Sequence, residues 1–154
     1  VDTIQARKLA QENLKVWGLT DMAWTFDFDS AKERFGCCSP RRKRISLSFD
    51  LTKLNVVVEV LDTILHEIAH ALVSELVGRG HRHDSIWKKY CLLVGARPTR
   101  CYEEGIAKPA PNFIGHCPNG HEFTRFKKAK RKLSCSYCSK KYNERFLITW
   151  NKYE

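Results

Sequence analysis

Two histidines and a glutamate in His66-Glu67-Ile68-Ala69-His70 carry the densest chemistry of the chain. On an α-helix, residues four apart lie about 40° apart around the axis and one turn along it, so both imidazoles can converge on one ion. Glu67 is rotated by about 100° from His66, where its carboxylate can approach an open coordination position without being a ligand and can act as a base. A zinc ion used in catalysis takes three protein ligands and leaves its fourth position to water. His66 and His70 supply two. The third is expected after a chain reversal, and both His81 and His83 of Gly80-His81-Arg82-His83 are placed to supply it. The bland alternative is a buried helix with an exposed histidine pair. Against it, polar side chains inside an apolar helix are costly unless something binds them.

A second group of ligand types lies in the last third of the chain. Cys117-Pro118-Asn119-Gly120-His121 and Cys135-Ser136-Tyr137-Cys138 read as two knuckles of a closed, four-ligand structural zinc site, with His116 as an alternative to His121. Between the knuckles runs Arg125-Phe126-Lys127-Lys128-Ala129-Lys130-Arg131-Lys132. Cations pair with phosphates and aromatic rings stack on bases, so Arg125, Lys127, Lys128, Lys130, Arg131, Lys132 and Phe126 are the expected nucleic-acid contacts. A solvated hairpin is the competing reading. The other basic run, Arg41-Arg42-Lys43-Arg44, reads as a solvated turn, and Cys37, Cys38, Cys91 and Cys101 as small apolar residues without chemistry.

Composition narrows the setting. Seven cysteines, an odd number, with no signal-peptide pattern and no Asn-x-Ser/Thr sequon, argue against a secreted disulfide scaffold and for an intracellular, reducing location, in cytoplasm, nucleoid or nucleus. The apolar run over residues 56–77 is interrupted by Glu59, Asp62, His66, Glu67 and His70, which excludes a membrane-spanning helix of about 20 apolar residues. The formal charge of +10 is uneven: residues 1–111 hold 17 Lys/Arg against 14 Asp/Glu, whereas residues 112–154 hold 10 against 3. The C-terminal piece is a cationic module whose natural partner is a polyanion.

The elements that must position these groups follow from periodicity. Ile4, Ala6, Leu9, Ala10, Leu14 and Trp17 approximate helical spacing, with Gly18 as a stop. Residues 24–28, 34–38 and 44–49 are β-compatible and separated by turn formers, which predicts a three-stranded antiparallel meander. Val57, Leu61, Ile64, Leu65, Ile68, Leu72 and Leu76 are helical in period and outweigh the β-propensity of Val56-Val57-Val58, with Asn55 as the expected cap. Gly78 and Gly80 end this helix, residues 86–94 form a short one, and residues 103–112, with Pro109 and Pro111, read as a linker.

Leu65-His66-Glu67-Ile68-Ala69-His70-Ala71-Leu72, followed by Gly80-His81-Arg82-His83 and Trp87, resembles the SprT/Spartan family of zinc metalloproteases. In that family the third ligand is a histidine four residues before an aromatic, which the resemblance assigns to His83 with Trp87; His81 would then face substrate or support a ligand. Where the family usually has glycine after this histidine, the chain has Asp84, a helix-capping type. The resemblance implies an α+β fold. Residues 1–108 would form a metalloprotease domain of N-terminal helix, small antiparallel sheet, metal-binding helix and third-ligand helix, and residues 112–154 a small β zinc ribbon. It also implies two zinc ions, one catalytic and one structural. The implied substrates are proteins bound or crosslinked to DNA, in DNA repair, with single-stranded DNA or exposed bases favoured.

The expected reaction is peptide hydrolysis with Glu67 as the base that activates water. Tyr102, His81 and Tyr90 are candidates for stabilising the oxyanion, and residues 45–49 for an edge strand that holds an extended substrate. Two rival readings remain: a metal-dependent ribonuclease with a three-histidine site, which would not need Glu67, and a binding module whose zinc ions are both structural.

Overall fold

A computed structural model describes residues 1–99 and 105–153. Two compact units divide the chain at residue 109, Val1–Pro109 and Ala110–Glu154. In the first, helix α1 (Thr3–Val16) begins at Asp2, whose carboxylate accepts the Ile4 N–H, and buries Ala6, Ala10 and Leu14. Strands β1 (Thr25–Asp29), β2 (Gly36–Ser39) and β3 (Arg44–Ser48) follow, then the short α2 (Phe49–Leu54), the long α3 (Val57–Leu76) and α4 (Ser85–Val94).

The sheet is mixed, in the order β1-β3-β2, and this corrects the expected antiparallel meander. β3 runs antiparallel to β2 but parallel to β1, with Phe26 beside Ile45 and Phe28 beside Leu47. Chain length explains the difference. A tight turn would force β1 and β2 to be neighbours, whereas residues 30–35 can reach over one intervening strand, a span of about 10 Å. β3 is thus central rather than an edge, and Phe49 already belongs to α2, so residues 45–49 do not offer a free edge to a substrate. β2 does.

As a central strand, β3 is buried on both faces. Ile45 and Leu47 enter the core, while Ser46 donates to Asp29 Oδ2 at 2.7 Å and Ser48 donates to the Ala31 carbonyl at 2.6 Å. Ser48 Oγ also accepts the Leu51 N–H at 3.1 Å and so caps α2. Helix α3 buries Val60, Ile64, Ile68, Leu72 and Val73 against α1 and the sheet. Its N-cap is Val56, with no side-chain bond. Asn55, the expected cap, instead ends α2 and clamps Ala107, accepting its N–H and donating to its carbonyl, each at 2.8 Å.

In the second unit, β4 (Phe113–His116) is flanked by β5 (Glu122–Arg125) and β6 (Thr149–Lys152), all antiparallel. Among the described residues of this unit, the buried side chains of apolar type are those of Cys117 and Cys135. Gly115 is the place on β4 where a Cβ would collide with Ile148 and Trp150, at 2.6–2.7 Å, so these side chains cross the strand directly over its backbone. Among the described residues of both units, no helix is long and apolar enough to cross a membrane.

Candidate active site

Helix α3 carries His66, Glu67 and His70, and the chain returns to them through a glycine-containing reversal. Gly78 and Gly80 have φ values of 132° and 103°, which side-chain-bearing residues rarely adopt, and this lets residues 78–84 fold back before α4 begins. His83 therefore faces the helix. Its Nε2 lies 3.2 Å from His70 Nε2 and 3.3 Å from His66 Nε2. Tetrahedral ligation with Zn–N bonds of about 2.05 Å would place nitrogens about 3.3 Å apart, which both distances match, and all three ligand atoms lie within 4.8 Å of one another. Of the two histidines that spacing left open, His83 joins the group and His81 does not. Three half-buried imidazoles with converging nitrogens leave little room for protons: burial, reinforced by the neighbouring rings, lowers the pKa of His66 to about 4 and of His70 to about 3. Neutral imidazole is the form that ligates.

Trp87 supports the triad from below. It is fully buried, and its ring centroid lies 4.7 Å from that of His66, 5.1 Å from His70 in a stacked arrangement, and 4.5 Å from His83. Asp84 caps α4 through the Trp87 N–H at 3.0 Å, which fixes the tryptophan relative to the reversal.

Glu67 is buried, 6% exposed, between α3 and the edge strand β2. Strand and helix approach so closely because residue 36 is glycine: a Cβ there would stand 2.5 Å from Glu67 Oε1 and 2.8 Å from Thr63 Cγ2. Burial pushes the Glu67 pKa up to about 8; the Arg34 guanidinium and the backbone N–H of Cys38 pull the other way. A dication in the histidine triad would act in the same direction as Arg34. Arg34 is itself held, donating to Gly36 O at 2.9 Å and to Asp29 Oδ2 at 2.8 Å. Sequence reasoning missed Arg34, Asp29 and Gly36 as parts of the site. The legible signal was Gly36, since glycine inside a strand marks a close approach.

These groups open into a cleft of about 990 Å³ whose lining includes Gly36, Cys38 and Pro40 on one side, His66, Glu67 and His70 on α3, and residues 78–84. Arg41, Arg79 and Arg82 stand at its rim, so the basic turn after β2 contributes to the cleft. His81 lines it. Tyr90 packs against the core and is not part of the lining, and Tyr102 lies outside the described residues, as does Cys101. Cys91 is fully buried and Cys38 partly so, and burial raises both thiols, Cys91 to about 12, which fits their reading as apolar residues.

In the second unit Cys117, His121, Cys135 and Cys138 converge. His121 Nδ1 lies 3.4, 3.5 and 3.3 Å from the three sulfurs in chain order, and Cys117 Sγ lies 3.9 Å from Cys138 Sγ. With Zn–S of about 2.3 Å, tetrahedral zinc would require about 3.6 Å and 3.8 Å. The donor set suits zinc and leaves no position open. His116 is turned away toward Glu122, 3.4 Å distant. Lys127, Lys128, Lys130, Arg131 and Lys132 are exposed and, among the described residues, unpaired with carboxylates; Phe126 is half-buried, and Arg125 lies over the Trp150 ring at 5.7 Å. Tyr137 and Tyr142 are the exposed aromatics nearby in sequence.

No curated protein matches the chain. A family model, that of the SprT-like family, matches residues 6–104, which take in most of α1, the mixed sheet, the helix bearing His66, Glu67 and His70, and the segment bearing His83 and Trp87. With that match extending over more than half of its length, the chain belongs to the SprT-like family.

Proposed function

We propose that the chain is a zinc-dependent endopeptidase acting on proteins associated with DNA, including proteins crosslinked to it, inside the cell. One observation carries the peptidase reading: a buried carboxylate, Glu67, stands beside three convergent imidazoles in a cleft that also exposes a strand edge. A three-histidine ribonuclease would have no use for that carboxylate, and a purely structural zinc no use for an open cleft. Zinc held by His66, His70 and His83 would supply a Lewis acid for the scissile carbonyl and lower the pKa of a bound water. Glu67 takes the proton of the attacking water and delivers it to the departing amine. Its carboxylate is kept in place by the Cys38 N–H of the edge strand β2, along which an extended substrate can lie. Arg34, pinned by Asp29, supplies the positive charge that favours the ionised base.

Support for DNA comes from the second unit, where five exposed cations between the knuckles have no acidic partners among the described residues and the side chains of Tyr137 and Tyr142 are exposed. The test compares wild type with Glu67→Gln on a protein substrate free and tethered to single-stranded DNA. Glu67→Gln should retain zinc and lose about a hundredfold or more in cleavage. Neutralising Lys127, Lys128, Lys130, Arg131 and Lys132 should slow cleavage of the tethered substrate alone and flatten the salt dependence of DNA binding. Full activity in Glu67→Gln ends the proposed mechanism, and an unchanged salt slope ends the DNA reading.

A further inference from the structure

His81 lies on the segment between α3 and α4, and its side chain lines the cleft that holds His66, Glu67 and His70. Its Nδ1 stands 2.7 Å from Asp84 Oδ2. The other oxygen of Asp84 accepts the Trp87 N–H at 3.0 Å and caps α4, and Trp87 is the ring against which the three ligand imidazoles pack. The pair is therefore fixed to the element that orders the metal group and does not ride on a free loop. Because an ionised carboxylate can only accept, Nδ1 carries the proton of this bond, and in the neutral ring Nε2 is the nitrogen left to accept from a substrate.

An extended peptide directs its N–H and C=O groups alternately to its two sides. The edge of β2 can satisfy one side. The cleft lining also includes residues 78–84, where Arg79 and Arg82 offer donors for carbonyls but no acceptor, and the Asp84 carboxylate is committed at both oxygens. Acceptor capacity among the side chains of that wall rests with His81. We infer that His81 contacts the substrate backbone, its Nε2 accepting a peptide N–H on the side facing away from β2, and that Asp84 is the positioning residue that fixes its tautomer. This rests on the peptidase reading of the cleft.

The test uses the zinc-loaded full chain and a quenched fluorogenic peptide. His81→Ala should keep its zinc and raise KM roughly three- to tenfold, the worth of one neutral hydrogen bond, with kcat within about twofold, because the contact is present in both ground and transition states. His81→Gln, whose amide oxygen can stand near the place of Nε2, should recover part of the loss. Asp84→Asn keeps the helix cap but offers an N–H to Nδ1, driving the ring proton to Nε2, so KM should rise as in His81→Ala. The double variant should be no worse than His81→Ala. Imidazole nitrogen–proton NMR correlations of the wild type should show the His81 proton on Nδ1, a readout that needs no activity. An unchanged KM in His81→Ala, a wild-type proton on Nε2, or loss of zinc in His81→Ala would each overturn the assignment. A wild type that holds its zinc and cleaves no peptide overturns the peptidase reading and this inference together, whereas an active His81→Ala with unchanged KM overturns this inference alone.

Discussion

Gly36 has no side chain to contribute, yet it sets how near β2 comes to Glu67. Replacing it by alanine forces a Cβ to within 2.5 Å of the Glu67 carboxylate and 2.8 Å of Thr63, so strand or carboxylate must move. Gly36→Ala should cost about 1–3 kcal/mol in denaturant unfolding, the range of overpacked cores, and lower kcat more than it weakens zinc binding. The site's ionisable groups give the metal-free protein a stability optimum. His66 and His70 have folded pKa values of about 4 and 3 against an ordinary 6.5, so the unfolded chain binds more protons below pH 6.5 and the fold weakens on acidification. Glu67 works oppositely: its folded value of about 8 against 4.5 contributes stability that is lost as pH rises through 8. Two histidine protons outweigh one glutamate proton between pH 4.5 and 6.5, and Glu67 acts by itself above that. Unfolding of the metal-free protein should therefore be hardest near pH 6.5. A flat profile from pH 5 to 8 would show that these groups are solvated as in the unfolded chain.

Among the elements, the junction of β3 with α2 concentrates bonds on one side chain. Ser48 is fully buried, ends the central strand, caps α2 through Leu51 and ties the β1–β2 connection through Ala31. Ser48→Ala removes the cap and leaves the Leu51 N–H and the Ala31 carbonyl without this partner, a loss of roughly 1–3 kcal/mol that thermal melting would register as a lower Tm. Zinc affinity at the histidine triad should change little, because that site is ordered by α3, residues 78–84 and Trp87. The helices on either side of the reversal are fixed by other means: Arg97, just after α4, is bound to Asp62 and Glu59 on α3, which locks the two helices at the end away from the reversal.

At the scale of the whole molecule, the two units fold on different terms. The first buries a continuous apolar core from α1, the mixed sheet, α3 and α4. The second, with little apolar side-chain surface buried among its described residues beyond Cys117 and Cys135, lacks the core that a piece of this size needs to fold without help. A strong chelator should therefore unfold residues 110–154 while leaving most of residues 1–109 folded. Hydrogen exchange after chelation would check this: rapid exchange confined to β4, β5 and β6 is expected, and protection that survives there would mean the ribbon does not depend on its metal.

What the sequence by itself determined were the features set by local spacing. The i, i+4 histidines with an intervening glutamate, the helical period of α3, the Cys-x₂-Cys pair and the concentration of positive charge after residue 111 are all relations between near neighbours. Tertiary structure decided the relations between distant residues. Strand order depended on how far residues 30–35 could reach, which alternation of side chains does not encode, and so β2 rather than β3 became the edge beside the cleft. The choices of His83 over His81 and of His121 over His116 depended on where a chain reversal aims a ring, although the family resemblance already favoured His83. Arg34 and Gly36 joined the site because a strand distant in sequence packs against α3, a contact that exists only once the sheet is assembled.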